Sequence, residues 1–343
     1  MRPQANTFPA ADGGRHGRTL DRRRRGLAAG WLVFVVFVLA GSLRANPAGE
    51  PAALRFGFSS QVFGEVNEND ARAALKVWSL AMSAERGVPI DPAMQILNGA
   101  EAIQAALLGR TIDMLTMTAA EFWAVRRVAP LGPIFIGRTH GETSEEYLLL
   151  VHHDNPAARL ADFRGRSVAV LQGSRATLAA IWMETLLLEE HLGTAGTFWG
   201  RIERAGKLSR IVLPVFFQQV DACVVTREGF RTMSELNPQV GRQLRILAQS
   251  PAVVPTVFCF RGDLVSPYRD KLIAGIAQIA DTPAGRQTLA LFQSDQIEVR
   301  PVAEMDTACA LLDRHQRLLA EAGNANATNS GGAAPPDAGE RSR

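Results

Sequence analysis

Cysteine is scarce and poorly placed for chemistry in this chain. Three occur, Cys223, Cys259 and Cys309, odd in number and far apart. No disulfide framework follows from them, and no Cys-x-x-Cys pair is available for metal or redox work. Cys223 and Cys259 sit in apolar, strand-like runs ("DACVV", "TVFCF") and read as small buried hydrophobes. A P-loop and a Gly-x-Gly-x-x-Gly fingerprint are both missing, which removes the common nucleotide-binding signatures. There is no Gly-x-Ser-x-Gly elbow, and no Ser-x-x-Lys at a strand–helix junction. No His/Cys/Asp/Glu set shows metal-ligand spacing. His152-His153-Asp154 reads as the solvated end of a strand, and His140 lies in a polar connection, "GRTHGETSEE". Enzymatic chemistry is therefore not expected, and neither a metal nor a cofactor is implied.

A basic folded face is lacking too. The net charge of +3 misleads, because residues 1–25 hold 7 of the 37 Lys/Arg and 2 of the 34 Asp/Glu. The remainder carries 30 basic and 32 acidic residues, a net of −2. A nucleic-acid footprint needs a basic face on the folded part, and that balance does not suggest one.

The basic N-terminus has its own logic. Arg22 to Arg25 precede seventeen uncharged, mostly apolar residues, 27–43, and then small residues at 40–42 and Ala45. This is the three-part plan of an export segment over residues 1–45, read either as a cleaved signal peptide or as an anchor in the cytoplasmic membrane. The arginines would stay cytoplasmic in both cases. At the other end, residues 321–343 are rich in Ala, Gly, Asn and Pro without a large apolar side chain, and are expected to be disordered.

Between these ends the chain alternates strand-like and helix-like segments. "LRFGFSS", "AMQIL", "IDMLTMT" and "PIFIG" read as strands. Residues 70–86 place Ala71, Ala74, Leu75, Trp78, Ala81 and Met82 on one helical face, closed by Gly87-Val88-Pro89. The alternation then repeats through "EYLLLVHHD", "SVAVL", a helix expected over 176–191, a second over 209–218 weakened by Pro214, and "VDACVVT". Two more strands and three helices (267–280, 284–292, 303–320) follow. One internal echo links the halves: "TIDMLTMT" and "QVDACVVT" both run from Asp through an apolar strand to Thr. The order predicts an α/β chain of two lobes, each a mostly parallel sheet flanked by helices and joined by two crossing strands. Lobe 1 is expected over 52–140 plus 250–320 and lobe 2 over 141–249, with crossings near 137–146 and 248–256.

In open α/β sheets ligands sit beyond the carboxyl ends of strands, where helix N-termini offer unpaired N–H groups and a partial positive charge. Four such junctions are rich in hydroxyls. They are Ser59-Ser60, then Thr116 and Thr118, then Ser174, Arg175 and Thr177 within "QGSRAT", and Thr226-Arg227. Each hydroxyl could serve as an N-cap alone. Together they point to an oxyanion held between the lobes.

On these residues the chain resembles type II periplasmic solute-binding proteins, and among them the phosphate/phosphite/phosphonate-binding (PhnD-like) branch of ABC transporters. The resemblance spans about 52–318 and rests on "LRFGFSS", "ILNGAEAIQAALLGRTIDMLTMTAAEF", "QQVDACVV" and "DKLIAGIAQIADTPAGRQTLALF". It rests also on Leu160-x-Asp162-Phe163-x-Gly165-x-x-Val168-Ala169-Val170. The family's Gly-Ser-Thr-Ser-Gly-like anion loop is matched by Gly173 and Ser174. Arg175 and Ala176 stand where hydroxyls are usual, and Thr177 replaces the second glycine. Lys207 and Ser209 lie where a histidine is frequent, and Thr226-Arg227 where an acid is frequent. The family's aromatic contacts find no match by position, since the tyrosines are only Tyr147 and Tyr268. The resemblance implies a non-catalytic, periplasmic binding protein, monomeric, that takes a small phosphonate- or phosphate-like anion and presents it to an ABC permease. Ser174 and Arg175 would hold the anion from lobe 2, with Lys207 and Arg227 as further cations, and Ser59, Ser60 and Thr118 would answer from lobe 1. A membrane-anchored sensor domain, or an enzyme on the same fold, are the alternatives.

Overall fold

The computed structural model describes residues 52–63 and 66–330. The segment 27–43 lies outside the described residues. Among the described residues, no helix is long and apolar enough to cross a membrane.

The chain first forms β1 (Phe56–Ser59), α1 (Glu68–Arg86), β2 (Gln95–Leu97), α2 (Gly99–Leu108), β3 (Met114–Thr118), α3 (Ala119–Val125) and β4 (Leu131–Arg138). It continues with β5 (Tyr147–His152), β6 (Ser167–Leu171), α4 (Ala179–Glu189), α5 (Ala195–Phe198) and β7 (Arg201–Ala205). Next come α6 (Leu208–Phe216), β8 (Ala222–Thr226), α7 (Arg227–Leu236), α8 (Pro238–Gln243) and β9 (Leu244–Gln249). The last part holds β10 (Thr256–Arg261), α9 (Arg269–Ala277), α10 (Pro283–Leu291), β11 (Gln296–Arg300) and α11 (Asp306–Ser330).

Two sheets result, in the orders β11-β4-β10-β3-β1-β2 and β7-β6-β8-β5-β9. Each lobe is an α/β layer with helices against its sheet, as the alternation predicts. The sheets are mixed rather than mostly parallel. The triplets β2-β1-β3 and β7-β6-β8 are parallel, but β10 runs against β3 and β4, and β5 against β8 and β9. The crossings explain this. A strand that closes a βαβ unit runs toward the other lobe, whereas β5 and β10 begin at a crossing and run away from it. The antiparallel bridge between Glu145 and Val253 pairs the two crossing segments to each other.

The echo noticed in the sequence is a structural device used twice. Asp113, ahead of β3, accepts the backbone N–H of Arg55 at 3.0 Å and its guanidinium at 2.9 Å. Asp221, ahead of β8, accepts the backbone N–H of Ser167 at 2.8 Å and its hydroxyl at 2.6 Å. Each aspartate thus ties the start of the neighbouring parallel strand. At the far ends Thr118 and Thr226 cap α3 and α7.

Three apolar clusters hold the fold. One, with Phe58, Trp78 and Phe260, fills the α1/α9/α10 side of the first sheet. Another, with Ile211, Val215 and Val240, lies beneath α6 and α8. The largest runs continuously from Phe122 and Val257 through Leu311 and Leu312 to Trp182 and Leu187, so it spans both sheets. Its bridge is α11, which the sequence assigns to lobe 1. Asp313 accepts from Trp123 Nε1 at 2.7 Å and pairs with Arg126 at 3.0 Å on α3. Arg314 and His315 reach Glu189 and Glu184 on α4, at 2.6 and 3.0 Å. The helix also runs to Ser330, so disorder from 321 is corrected over 321–330. The alanines there propagate a helix already nucleated, at the cost of about 1 kcal/mol for Gly323.

Two edge strands escape the sequence pattern, β7 (RIERA) and β11 (QIEVR), because edges carry charge where interior strands carry apolar runs. Cys223 and Cys259 are buried within strands, as expected, and are free thiols. Burial pushes the Cys259 thiol up to about 12 and raises that of Cys223 as well, which makes both inert.

Candidate functional site

A cavity of about 370 Å³ opens between the carboxyl ends of the two parallel triplets. Gln61 and Thr118 line it from the first sheet, and Gln172, Gly173, Thr177 and Arg204 from the second. Gly173 begins the loop after β6 with φ +137°, a conformation that L side chains rarely adopt. A Cβ there would also lie 3.8 Å from the side-chain amide of Gln293 across the gap.

The residues singled out by sequence divide sharply. Thr118 and Thr177 face the cavity. Thr177 Oγ1 nonetheless donates to the Pro255 carbonyl at 2.7 Å, which ties the loop to a crossing segment. Ser59 and Thr118 are already spoken for by a carboxylate of this chain. Glu121, only 4% exposed, accepts from Ser59 Oγ at 2.7 Å, from Thr118 N at 2.9 Å and from Thr118 Oγ1 at 3.0 Å. Two of the three lobe-1 hydroxyls expected to answer the ligand therefore hold an internal anion. Thr116 is enclosed in mid-strand between Phe58 and Phe258. Ser60 starts the 3₁₀ turn 60–63, and Lys207 occupies the exposed N-cap position of α6. Neither lines the cavity.

Arg175 requires the largest correction. It does not face the cavity. Its guanidinium turns into the crossing region, where Nε pairs with Glu145 Oε1 at 2.5 Å and Nη1 donates to the Gly137 carbonyl at 3.1 Å. Both side chains are below 10% exposed. Burial pushes the Glu145 carboxyl above its ordinary range, and the Arg175 charge offsets part of that rise. Tyr147, fully buried beside it, donates its hydroxyl to the Arg175 carbonyl at 3.2 Å. It is a core residue, and Tyr268 packs in the first lobe, so neither tyrosine serves the cavity. Ser174 donates to the Phe292 carbonyl at 3.4 Å, joining the lobes rather than facing the cavity.

Thr226 and Arg227 also lie elsewhere. Thr226 Oγ1 accepts from Gly229 N at 3.1 Å, and the Arg227 guanidinium pairs with Glu146. Arg227 lines a separate cavity of about 480 Å³ at the crossings, where His140 Nδ1 meets Glu228 at 2.7 Å. His152, read from the sequence as solvated, is buried, and it gathers with His153 and Asp154. A set of potential metal ligands is thus assembled where spacing alone shows none.

The helix after β6 starts at Ala179, not at Ala176, and Ser174 and Thr177 do not cap it. Turns closed by Ala176 N to Gly173 O (3.0 Å) and Ala179 N to Ala176 O (3.1 Å) occupy the interval. Ala180 and Ile181, in the first turn of α4, line the cavity, and among the described residues neither backbone amide has a backbone acceptor. Arg204 enters from edge strand β7, paired in register with Val170. It is exposed, and among the described residues no carboxylate pairs with it. The sequence reading missed this residue because it missed β7. The signal available was that Arg204 stands one residue before the end of a segment parallel to "SVAVL".

The profile described as ABC transporter, phosphonate, periplasmic substrate-binding protein matches residues 65–304. The chain belongs to that family. Among solved structures, XAC2383 from Xanthomonas citri bound to ATP is similar at 16% identity and TM-score 0.56, covering 78% of this chain and 98% of that one. A binding protein component of an ABC phosphonate transporter from Pseudomonas aeruginosa (PA3383) is similar at 14% identity and TM-score 0.53, with 80% and 89% covered. PhnD1 from Prochlorococcus marinus in complex with methylphosphonate is similar at 12% identity and TM-score 0.50, with 76% and 97% covered. No curated protein sequence matches significantly. The fold is that of the type II periplasmic binding proteins, and the family is a transporter component located in the periplasm, one that implies a small ligand and an ABC permease. Within this family assignment, the loop that departs from the usual hydroxyl pattern is the one whose arginine leaves the cleft to brace the crossings.

Proposed function

We propose that this chain is the extracytoplasmic solute-binding component of an ABC-type transporter and that it captures a small phosphonate- or phosphate-like oxyanion in the 370 Å³ cavity. The observation that carries this reading is that the first turn of α4, whose amides at Ala180 and Ile181 have no backbone acceptor among the described residues, lines the same cavity as Arg204. A helix N-terminus and an unpaired cation both favour a negative group. The opposite wall offers the amide of Gln61 and, behind Thr118, a carboxylate. It suits a neutral or donor-bearing end of the ligand better than a second anion. The two sheets would act as lobes about the crossings at 139–146 and 250–255, with closure presenting the loaded face to the permease. Nothing in the cleft needs a second copy, so a monomer suffices.

The test is thermal shift and calorimetry of the purified protein with phosphate, phosphite, methylphosphonate, sulfate and carboxylates. An anion at 100 times its Kd should stabilise by about 2.7 kcal/mol. Arg204→Ala removes a charged hydrogen bond worth about 1.5–3 kcal/mol, and so should weaken the preferred anion by roughly 10- to 100-fold. Binding of no anion at low salt, or an unchanged affinity in Arg204→Ala, would overturn the proposal.

A further inference from the structure

His152, His153 and Asp154 close β5 at the pole of lobe 2 away from the cleft. The register sets this position. Tyr147 lies opposite Thr226 at the cleft edge, whereas Val151 lies opposite Ala222 and His152 opposite Leu244. One donor atom from each of the three residues lies within 4.8 Å of the others.

The hydrogen bonds orient the imidazoles. His153 Nδ1 lies 3.3 Å from the Gln243 carbonyl, an acceptor, so that nitrogen carries the proton. Its Nε2 lies 2.9 Å from Asp154 Oδ1, a contact that a proton on the ring satisfies and that a cation in the proton's place would satisfy as well. His152 Nδ1 accepts the Asp154 backbone N–H at 3.3 Å and faces the Gln218 amide at 3.3 Å, so it is unprotonated, and a cation there would take the place of these two donors. Asp154 Oδ2 lies 3.7 Å from it. The His152 ring is buried and positioned by the strand, while His153 and Asp154 are exposed and free to adjust. Beside them is a cavity of about 470 Å³, lined by His152, Asp154 and Gln218, which leaves room for a cation's remaining water ligands.

We propose that His152, His153 and Asp154 form a binding site for a divalent transition cation of borderline softness, such as Zn²⁺ or Ni²⁺. Two imidazoles and one carboxylate suit such ions, while Ca²⁺ and Mg²⁺ require oxygen ligands throughout. Zn–N and Zn–O bonds of about 2.0–2.2 Å put tetrahedral ligands about 3.3 Å apart. Rotation of the two exposed side chains toward His152 closes the present gap. Three protein ligands leave at least one coordination position open toward the cavity. The site lies at the opposite pole of lobe 2 from Arg204 and works independently of the anion cleft.

The untagged protein, stripped with chelator, is titrated with Zn²⁺ by calorimetry and with Co²⁺ by visible absorption. One saturable equivalent is expected, with ligand-field bands for Co²⁺. His153→Ala and Asp154→Asn should each weaken binding by at least about tenfold. His191→Ala, far from the cluster in sequence and on another element, should not. The first two variants alter exposed side chains, so the test survives even if buried His152→Ala fails to fold. No saturable binding by the wild type, or the same affinity in His153→Ala and Asp154→Asn, would overturn the proposal.

Discussion

Replacing Arg175 by methionine separates its structural role from a ligand-binding one. The wild-type guanidinium is buried against the Glu145 carboxylate and the Gly137 carbonyl, at the point where the two crossing segments pair. Methionine matches its length but leaves Glu145 in a nearly dry site without its cation. Breaking a buried ion pair from one side costs about 3–5 kcal/mol, a large share of the 5–15 kcal/mol that typically separates folded from unfolded states. The cost depends on pH in a definite direction. Burial already raises the Glu145 carboxyl in the folded protein, and Arg175 is what restrains the rise. Without Arg175 the folded-state value climbs further above the unfolded one. The folded form then holds a proton that the unfolded form releases. Stability is retained below the unfolded value near 4.3 and is lost as pH rises through the window up to the new folded value, by up to about 1.4 kcal/mol per pH unit. Urea denaturation of Arg175→Met at pH 5 and pH 8 should therefore show a deficit against wild type that is larger at pH 8. The pair Arg175→Met with Glu145→Gln should recover part of the loss, since a neutral buried site carries no orphaned charge. Anion affinity in Arg175→Met should stay within about threefold of wild type. A variant that keeps its stability at both pH values but loses the anion would refute this reasoning and return Arg175 to the ligand.

Two further outcomes follow from the hydrogen bonds. Ser59→Ala strips Glu121 of one of its three donors and should destabilise the protein by about 1.5–3 kcal/mol in urea melts, with anion affinity unchanged; lost affinity at full stability would place Ser59 on the ligand instead. For Asp221, burial would raise the carboxyl, but the Ser167 hydroxyl and amide, with Arg166 and Arg201, hold it below its ordinary range. That stabilisation is present above about pH 4 and lost as pH falls through the depressed value, so the deficit of Ser167→Ala should shrink on acidification; a deficit independent of pH would contradict it.

The alternation of elements was legible in the sequence because buried parallel strands write themselves as apolar runs between amphipathic helices. The Asp-to-Thr echo was legible for a related reason. Its two polar ends do fixed local jobs, tying a neighbouring strand and capping the next helix. The edge strands were not legible. Arg201–Ala205 mixes charge and apolar residues, like a loop, until a parallel partner fixes it as a strand. Missing that strand meant missing Arg204. Of the loop singled out at Gly173, Gly173 and Thr177 line the cavity, whereas Arg175 spends its charge on Glu145 at the crossings.

What the sequence determined by itself was local: strand and helix propensity, the glycine that the loop needs, the caps, and through its motifs the family. What tertiary structure decided was where long, flexible or charged side chains spend their interactions. A guanidinium at 175 can reach a cleft or a hinge equally well, and the buried carboxylate of Glu145, thirty residues away, settles which. Glu121 reads as an ordinary helix-start acid until Ser59 is brought to it from another strand. His152 and His153 read as a turn until Gln243 and Gln218 orient their rings. Charge and hydrogen bonding act over a few ångströms in space without regard to separation along the chain. The lobes were therefore readable in advance, and the partners of their polar groups were not.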